Sequence, residues 1–436
     1  MNREISGRVP AAAAQAEQDV PLAGASRSIL PVVLGNALEF YDFTIYAYFA
    51  GTIGRTFFPA SGPGVSLLLA LAGYSVGFVA RPLGSVMIGS LADRYGRRRA
   101  LVFTIVLMAV GTALIALCPS HAAIGVAAPS LVLLARILQG FSVGGEAGVS
   151  SAWLMERAGL GNRCRWVSWQ ISSQGGAVLA GALVATMLNL SLSASAMERW
   201  GWRLAFAPGL LIVPLVFYLR RHLPETQAVV HCARPPWQEL FGEHRKTLLY
   251  GIMLGTGGVV FMQVNTHYLP IHMAETLDYP RELSFLLTCA VGASLLLTAP
   301  MFGRLCDGLR RRKPIQYFTL GASLLCVVPV FSVINTGQDL WLSVLLITLM
   351  MTTNMASASA CFVMMMEAFP QHLRATGLSI VYGVSVTLFG GTALLVAASL
   401  VELTGHPLAP AWYAAAACSV SLFALHRFRG AIPATV

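Results

Sequence analysis

The sequence GSLADRYGRRR at residues 89–99 indicates the architecture, because a second copy of it occurs later in the chain. Residues 303–313 read GRLCDGLRRRK and align with the first copy without gaps. The offset is 214 positions (303 minus 89), and each copy holds a leading Gly, a central Asp (Asp93 or Asp307) and a basic end. A short polar motif repeated this far apart indicates two similar halves.

Two further correspondences have nearly the same offset. The pair Glu156 and Arg163 recurs as Glu367 and Arg374, 211 positions later (367 minus 156). A GG pair at 175–176 recurs at 390–391, 215 positions later (390 minus 175). Parallel repeats of this kind build several classes of membrane transporter, so the sequence predicts two structurally equivalent halves.

The composition places both halves in a membrane. Of the 436 residues, 56% are hydrophobic and only 11% are charged, which is too few charges to cover a soluble domain. The apolar residues lie in long blocks, and a spanning helix needs about 20 such residues. Twelve spans are predicted: Ile29–Gly54, Val65–Leu91, Ala100–Cys118, Pro129–Met155, Trp166–Leu190, Trp202–Arg221, Thr247–Ile271, Leu283–Leu305, Pro314–Ile334, Leu340–Met366, Thr376–Leu403 and Pro410–Phe428.

Basic residues give the topology. Of 29 Lys and Arg residues, roughly 23 fall in segments on one side of these spans and about four on the other, which the positive-inside rule assigns to the cytoplasm and the outside. The net charge of +10 is explained in the same way, and nucleic acid is not expected as a partner. The predicted divisions are a cytoplasmic tail (1–28), a six-helix bundle (29–221), a cytoplasmic linker (222–246), a second six-helix bundle (247–428) and a cytoplasmic tail (429–436).

The repeated loop has the properties of a gate. Gly89 allows neighbouring helices to approach closely, and Asp93 stands at a helix end from which it can pair across to another helix. The arginines suit the anionic inner leaflet, although a basic loop that only sets topology has the same composition. The second copy departs from the pattern because Arg310 stands where the first has Gly96. The predicted gate residues are Gly89, Asp93, Gly96, Arg97, Arg98 and Asp307.

These motifs carry a resemblance to a known family. The loop resembles the signature of the major facilitator superfamily, and four other stretches resemble its metabolite–proton symporter family. They are GNALEFYDF (35–43), ARPLG (80–84), RILQGFSVGGE (136–146) and the region EAFP to FGGT (367–392). Residues 124–134 and 168–170 are most similar to the branch of citrate–proton symporters and tricarballylate carriers. The resemblance implies an all-α major facilitator fold of twelve helices and proton-coupled transport of a small organic carboxylate.

Charges inside the predicted spans indicate where the chemistry lies. A charged residue at the middle of a spanning helix costs about 2.5–3.5 kcal/mol on insertion scales, so it persists where it faces a cavity or a partner. Arg81 is the first candidate for a substrate carboxylate, since a guanidinium can hold one with two parallel hydrogen bonds. A structural ion pair with Glu39 or Asp42 is the alternative. The full set predicted to bind substrate is Arg81, Tyr74, Arg136, Gln139, Gln174 and His267.

Three buried acids are candidates for proton coupling. Asp42 is preferred over Glu39 and Glu146, because an Arg near a carboxylate can be drawn away by an anionic substrate and so link protonation to occupancy. A fixed clamp between helices is the alternative for each acid, most of all for Glu146, which follows two glycines. His267 and the aromatic residues are more typical of packing, with Tyr74 the exception because it lies two turns from Arg81.

Other functions have less support. The eight cysteines form no CxxC pair, so neither a disulfide nor a metal site is expected, and no cofactor is expected. The chain has no nucleotide-binding loop or hydrolase motif in a suitable context, and an enzyme is not expected. A symporter of another metabolite of the same family (α-ketoglutarate, shikimate, proline or betaine) stays open as an alternative. A drug-exporting antiporter is a further alternative, although two arginines in the predicted cavity argue against a cationic drug. The predicted partners are a carboxylate, protons and the lipid bilayer of the cell inner membrane, with the chain acting as a monomer.

Overall fold

The computed structural model describes residues 22–59, 63–214, 218, 234–269, 272–273, 277, 281–309, 311–336 and 339–428, and its regular structure there is helical. The first half contains α1 (Leu22–Tyr48), α2 (Ala50–Phe57), α3 (Pro63–Tyr95), α4 (Arg97–Leu117), α5 (Ala127–Arg157) and α6 (Arg163–Ser191). The linker contains α7 (Pro236–Glu243). The second half contains α8 (Arg245–Gln263), α9 (Arg281–Asp307), α10 (Lys313–Asn335), α11 (Leu340–Met355), α12 (Ala358–Glu367), α13 (Arg374–Ser385), α14 (Gly391–Thr404) and α15 (Ala409–Arg427).

Short helical segments join these elements. The α-helical ones are His121–Ile124, Ala194–Ala196 and Trp202–Leu204. The 3₁₀ turns are Leu160–Asn162, Gly209–Leu211 and Gln371–Leu373. The π turns are Met197–Gly201, Val264–Tyr268 and Val386–Gly390.

The helices are built for a bilayer. Within the described residues, nine helical stretches are long and apolar enough to span a membrane, and they coincide with the predicted spans 2 to 5 and 7 to 11. The first and twelfth predicted spans correspond to α1 and α15, whereas residues 215–217 and 219–221 of the sixth lie outside the described residues. Large apolar side chains such as Leu325 and Leu395 are exposed, as expected of a lipid-facing surface. The chain is a multi-pass membrane protein.

The helices pack as the repeat predicts. In the first bundle α5 packs against α3 and α4, and α1 packs against α6. In the second, α15 packs against α8 and α10, and α11 packs against α9 and α10. The bundles meet where α6 lies along α9 and where α13 lies against α3 and α5. The predicted all-α fold with two six-helix bundles is confirmed.

Glycines allow α3 and α5 to touch backbone to backbone. A Cβ atom on Gly84 would lie 1.9 Å from the carbonyl oxygen of Phe141, and one on Gly140 would lie 1.9 Å from that of Gly77. A Cβ on Gly144 would lie 2.2 Å from the carbonyl oxygen of Arg81. Small residues at such crossings are how spanning helices pack closely. This contact fixes the position of Arg81 between its neighbours.

Several helices differ from their predicted course. The linker contains α7, for which the sequence analysis made no prediction, and residues 222–233 of it lie outside the described residues, as do the tails 1–21 and 429–436. The helix α1 begins at Leu22, before the apolar run. The tenth span is broken between α11 and α12, and the eleventh contains the π turn Val386–Gly390. Such breaks depend on packing that hydropathy does not report, and π turns often mark functional sites.

Candidate functional site

Arg81 is a buried cation that makes no ion pair with any of the described residues. Its side chain lies in the middle of α3, 7% exposed, and its guanidinium carbon is 4.1 Å from the ring centre of Phe78 and 5.1 Å from that of Phe43. Its Nε is buried and has no hydrogen-bond partner, and no ion pair to Arg81 occurs among the described residues. The faces of the two rings stabilise the charge by cation–π attraction. The guanidinium therefore retains the capacity to bind an anion.

Tyr74 belongs to an aromatic cluster that also contains Phe43, Tyr46 and Phe78. Its ring stacks on Tyr46 with centres 5.9 Å apart and meets Phe43 and Phe78 edge-on at 5.9 and 5.5 Å. The cluster is shared by both site arginines, since Arg136 lies 3.5 Å above the Tyr46 ring. Tyr74 thus stands two turns before Arg81 on α3 and lines its surroundings.

Arg136 is joined to Asp42 through an amide. Arg136 Nη1 donates a hydrogen bond of 2.7 Å to Gln139 Oε1, and Gln139 Nε2 donates to Asp42 Oδ2 and, at 3.3 Å, to Thr112 Oγ1. Arg136 and Gln139 have no exposed surface, and Asp42 is 1% exposed. Gln139 was predicted to bind substrate, but here it connects the cation to the acid.

Asp42 lies inside the first bundle, away from the second. Its Oδ1 accepts no hydrogen bond, and the position of a Cβ on Gly209 would be 3.3 Å from this atom. The acid is therefore enclosed by α1, α4, α5 and the segment around Gly209. An unpartnered carboxylate oxygen in such a place is open to a proton.

Glu39 and Glu146 form a second acidic group. Both side chains are buried, 1% and 2% exposed, and they lie close together between α1 and α5, since a Cβ on Gly35, one turn before Glu39, would be 3.9 Å from Glu146 Oε1. Ser142 Oγ donates to Glu39 Oε1 at 3.4 Å, and the side chain of Glu146 reaches Thr104.

A cavity of about 120 Å³ lies between the bundles, lined mainly by the second. Gln174 of the first bundle lines it opposite Asn354, whose buried Oδ1 has no hydrogen-bond donor. Tyr382 of α13 also lines it and is close enough to Arg81 to interact with it electrostatically. His267 does not line this cavity but lies in the π turn Val264–Tyr268. The lining that the second bundle supplies is neutral.

The predicted gate residues join the bundles at one end of the molecule. Asp93 Oδ2 accepts from the backbone N–H of Thr376 at 2.7 Å and from its hydroxyl, and so caps the first turn of α13 in the other bundle. Asp307 does the same in reverse, accepting from the N–H groups of Cys164 and Arg165 at 2.8 Å each at the start of α6. Each bundle therefore caps a helix of the other.

Ion pairs reinforce these caps. Arg97 pairs with Asp93 and, at 2.9 Å, with Glu156, and all three side chains are buried. Glu367 pairs with Arg312 and, across the bundles, with Arg163 at 2.9 Å. The repeated Glu156 and Glu367, seen in the sequence only as markers of the repeat, thus complete both copies of the gate.

Glycines allow the bundles to approach closely at the predicted gate. A Cβ on Gly89 would lie 2.8 Å from Thr376 Cα, and Gly96 adopts φ +104°, a region that favours glycine. Arg98 is half-buried in the first turn of α4. In this structure the bundles are in contact at the gate end.

Sequence reasoning missed part of the site. Phe43, Phe78 and Tyr382 were not selected, although Phe43 and Phe78 lie one turn from Tyr46 and Tyr74 and so repeat on one face of each helix. Tyr382 and Thr376 approach only because α13 packs against α3, a long-range contact that no local pattern reports.

Comparison with known proteins agrees with this architecture. The sequence model of the family "Major Facilitator Superfamily" matches residues 32–394. A citrate-proton symporter of Salmonella typhi is 36% identical over 409 residues, covering 92% of this chain and 94% of the relative. A citrate-proton symporter of Klebsiella pneumoniae is 34% identical with 92% of each chain covered. The glycine betaine/proline/ectoine/pipecolic acid transporter OusA of Dickeya dadantii is 34% identical, covering 89% of this chain and 80% of the relative.

Solved structures agree on the fold. The proton:xylose symporter XylE bound to 6-bromo-6-deoxy-D-glucose has a TM-score of 0.74 at 18% identity, with 93% of this chain and 97% of that one covered. A double Trp variant of XylE has a TM-score of 0.77 at 17% identity, with 95% and 97% covered.

Proposed function

Because the chain belongs to the Major Facilitator Superfamily, we propose that it is a secondary active transporter that imports a small organic polycarboxylate, citrate or a related tricarboxylate, together with protons. The relatives named as citrate-proton symporters cover nearly the whole chain, which supports proton-coupled symport. The family and these relatives are transporters, and we propose no enzymatic activity.

The observation that carries the substrate class is that Arg81 is buried and makes no ion pair with any of the described residues. A buried guanidinium without an acidic partner is unfavourable unless something anionic binds it for part of the cycle. Arg81 lies beside Tyr382, which lines the cavity between the bundles, so a carboxylate there can reach it. Gln174 and Asn354 offer neutral hydrogen-bonding groups for the rest of the substrate.

Asp42 is the proposed proton carrier. Its hydrogen bond from Gln139 connects it to Arg136, and Arg136 shares the aromatic cluster with Arg81. A carboxylate bound at Arg81 changes the field at this cluster, which links proton binding on Asp42 to substrate occupancy. Tyr74 contributes to this link by packing between the two arginines.

The arrangement in the membrane follows from the basic residues. We propose that the protein lies in the cell inner membrane as a monomer, with the gate end, the linker 222–246 and both tails in the cytoplasm. The first bundle is assigned to 29–221 and the second to 247–428. On this assignment the end of the molecule that the Asp93 and Asp307 caps hold together faces the cytoplasm.

The aromatic cluster favours one alternative. Phe43, Tyr46, Tyr74 and Phe78 could hold the quaternary ammonium group of a betaine, and a betaine/proline transporter is among the relatives. In this structure, however, the ring faces of Phe78 and Tyr46 carry the guanidinium groups of Arg81 and Arg136. A zwitterion would have to displace them, so the polycarboxylate is the first choice.

Uptake into proteoliposomes tests the substrate class. Radiolabelled citrate, tricarballylate, α-ketoglutarate, shikimate and betaine are offered separately under one inward pH gradient. The proposal expects a tricarboxylate to be taken up fastest. Uptake of betaine with no uptake of citrate would favour the alternative, and uptake of none of them would reject both.

A further inference from the structure

A pair of acids lies apart from the hydrogen-bonded series Arg136, Gln139 and Asp42, which we call the Asp42 relay. Glu39 on α1 and Glu146 on α5 are buried, and their carboxyl groups are close enough to interact electrostatically. The position of a Cβ on Gly35, one turn before Glu39, would be 3.9 Å from Glu146 Oε1, which independently places the Glu146 carboxyl against α1. We call Glu39 and Glu146 the glutamate pair.

Hydrogen-bonding chemistry requires a proton in this pair. An ionised carboxylate accepts hydrogen bonds and cannot donate one, so two carboxyl groups can bond to each other only when one carries a proton. Glu39 Oε2 is buried and receives no hydrogen bond from any N–H or O–H group. Ser142 donates only to Glu39 Oε1. A carboxylic acid O–H on Glu146 would supply a donor for this oxygen, so a proton shared by the pair would account for the unpartnered atom.

The glutamate pair and the Asp42 relay use separate partners on the same helices. Asp42 bonds to Gln139, which also contacts Thr112, whereas the pair bonds to Ser142 and Thr104. No hydrogen bond between the two groups occurs in the described residues. The chain therefore holds two sites that can each bind a proton.

The charged and titratable groups that face the pair come from two further helices. Arg81 of α3 and Tyr382 of α13 both interact electrostatically with Glu39. An anionic substrate bound to Arg81 would neutralise its positive charge. Arg81 would then no longer stabilise the state in which both glutamates are ionised. The pair would therefore keep its proton while substrate is bound and lose it more readily after release.

We propose that the glutamate pair carries a second transported proton, distinct from the one on Asp42. The proton enters from the side from which substrate enters, lies between the two carboxyl groups, and leaves to water on the other side with the substrate. Only a proton moves, and no group is oxidised or reduced. The proposal rests on the proposed function, because it sets how many protons accompany each substrate.

Infrared spectroscopy tests the proton itself without transport. The C=O stretch of a protonated carboxylic acid should be present in the wild type near neutral pH and reduced in both Glu39→Gln and Glu146→Gln. Glu402→Gln is the matched control, since Glu402 is exposed near the end of α14, and it should leave the band unchanged. A band of wild-type size in both pair variants would overturn the proposal.

Transport assays on the glutamate variants measure whether the proton on the glutamate pair is transported. Glutamine at position 146 can still donate to Glu39, so the Glu146→Gln variant keeps the helix contact but removes the transported proton. Accumulation of citrate should then fall about tenfold for each pH unit of the gradient, because one proton fewer contributes. Substrate-for-substrate exchange should persist. If Glu146→Gln does not transport, Glu39→Gln is measured in the same way.

The outcomes separate the two proposals. Wild-type uptake that ignores the pH gradient would reject the proposed function. Wild-type uptake that is proton-driven, with an unchanged proton number in Glu146→Gln, would reject only the role of the glutamate pair. Loss of exchange in both variants would make the pair a structural clamp and would also overturn the inference.

Discussion

At the scale of single residues, the site is organised around two buried arginines that have no acidic partner in contact. Arg81 rests on aromatic rings, and Arg136 reaches Asp42 only through Gln139. Burial of an unpaired charge is destabilising, so its persistence indicates a role in binding. The direct ion pair between Arg81 and Glu39 or Asp42, considered from the sequence, does not occur in the structure.

Replacing Arg81 should weaken substrate binding. In Arg81→Ala the carboxylate loses a charged hydrogen-bonding partner worth about 2 kcal/mol, so the Kd should rise about 30-fold. Arg81→Lys keeps the charge but loses the planar fork and the flat contact with Phe78, so its affinity should also fall. Calorimetry on purified protein measures both.

Arg427→Ala provides the matched control for Arg81, because Arg427 lies in the last turn of α15 beside Phe423 and away from the site. Its Kd should match that of the wild type. Unchanged affinity in Arg81→Ala would remove Arg81 from the substrate site.

Replacing Asp42 should separate accumulation from exchange. Asp42→Asn keeps a side chain that can bond to Gln139 but cannot bind and release a proton. Accumulation driven by the pH gradient should fall, because one proton fewer contributes, whereas counterflow exchange should continue because it needs no deprotonated empty carrier. Both are measured in one proteoliposome preparation. Accumulation by Asp42→Asn equal to that of the wild type under the same imposed gradient would remove Asp42 as a proton carrier.

At the scale of helices, sequence patterns predicted where the spans lie but not how they are interrupted. Length and hydropathy are local properties, so predicted spans such as Ala100–Cys118 agree closely with α4 at Arg97–Leu117. The π turn Val386–Gly390 is a tertiary feature: the Thr387 hydroxyl donates to the carbonyl of Phe78 at 2.8 Å, next to Arg81. Asp42 and Gln139 were predicted individually, but their contact depends on the packing of α1 against α5.

The glycine contact between α3 and α5 should be sensitive to a single methyl group. In Gly144→Ala the new Cβ would meet the Arg81 carbonyl oxygen at 2.2 Å, and backbone atoms cannot move aside as a flexible side chain can. We expect a loss of about 1–3 kcal/mol in stability. The melting temperature of the detergent-solubilised protein, together with substrate affinity, measures the effect.

Gly321→Ala is the control for that substitution. Gly321 lies within α10, and a Cβ there would meet nothing within 4 Å. Alanine also favours the helix over glycine, so the melting temperature should stay the same or rise. Equal melting temperatures for Gly144→Ala and the wild type would contradict the close helix contact.

At the scale of the whole molecule, two equivalent helix caps join the two halves. Asp93 caps α13 and Asp307 caps α6, each across the boundary between bundles. The sequence repeat predicted equivalent halves and a gate, yet the reciprocal capping needed the packed structure, because the partner helices begin far away in the chain. Alternating access requires these contacts to break and reform.

If Asp93 holds a gate, replacing it should slow turnover more than it weakens substrate binding. Asp93→Asn weakens the pair with Arg97 and the cap on Thr376, which shifts the balance between the two orientations. The maximal uptake rate should fall several-fold while the apparent affinity changes less. Asp339→Asn is the control, because Asp339 caps its own helix α11 and Asn caps equally well. Wild-type uptake by Asp93→Asn would reject the gate.

The central claim is that protons drive the import of a polycarboxylate. Each negative charge that enters a negative-inside cell works against about 2.3 kcal/mol per 100 mV, and each pH unit supplies about 1.36 kcal/mol per proton. The most direct test is citrate uptake by wild-type proteoliposomes under an imposed pH gradient, acidic outside, with and without a protonophore. Citrate should accumulate above its external concentration, and the protonophore should abolish this accumulation. Citrate uptake of the same extent with and without the gradient would contradict the central claim.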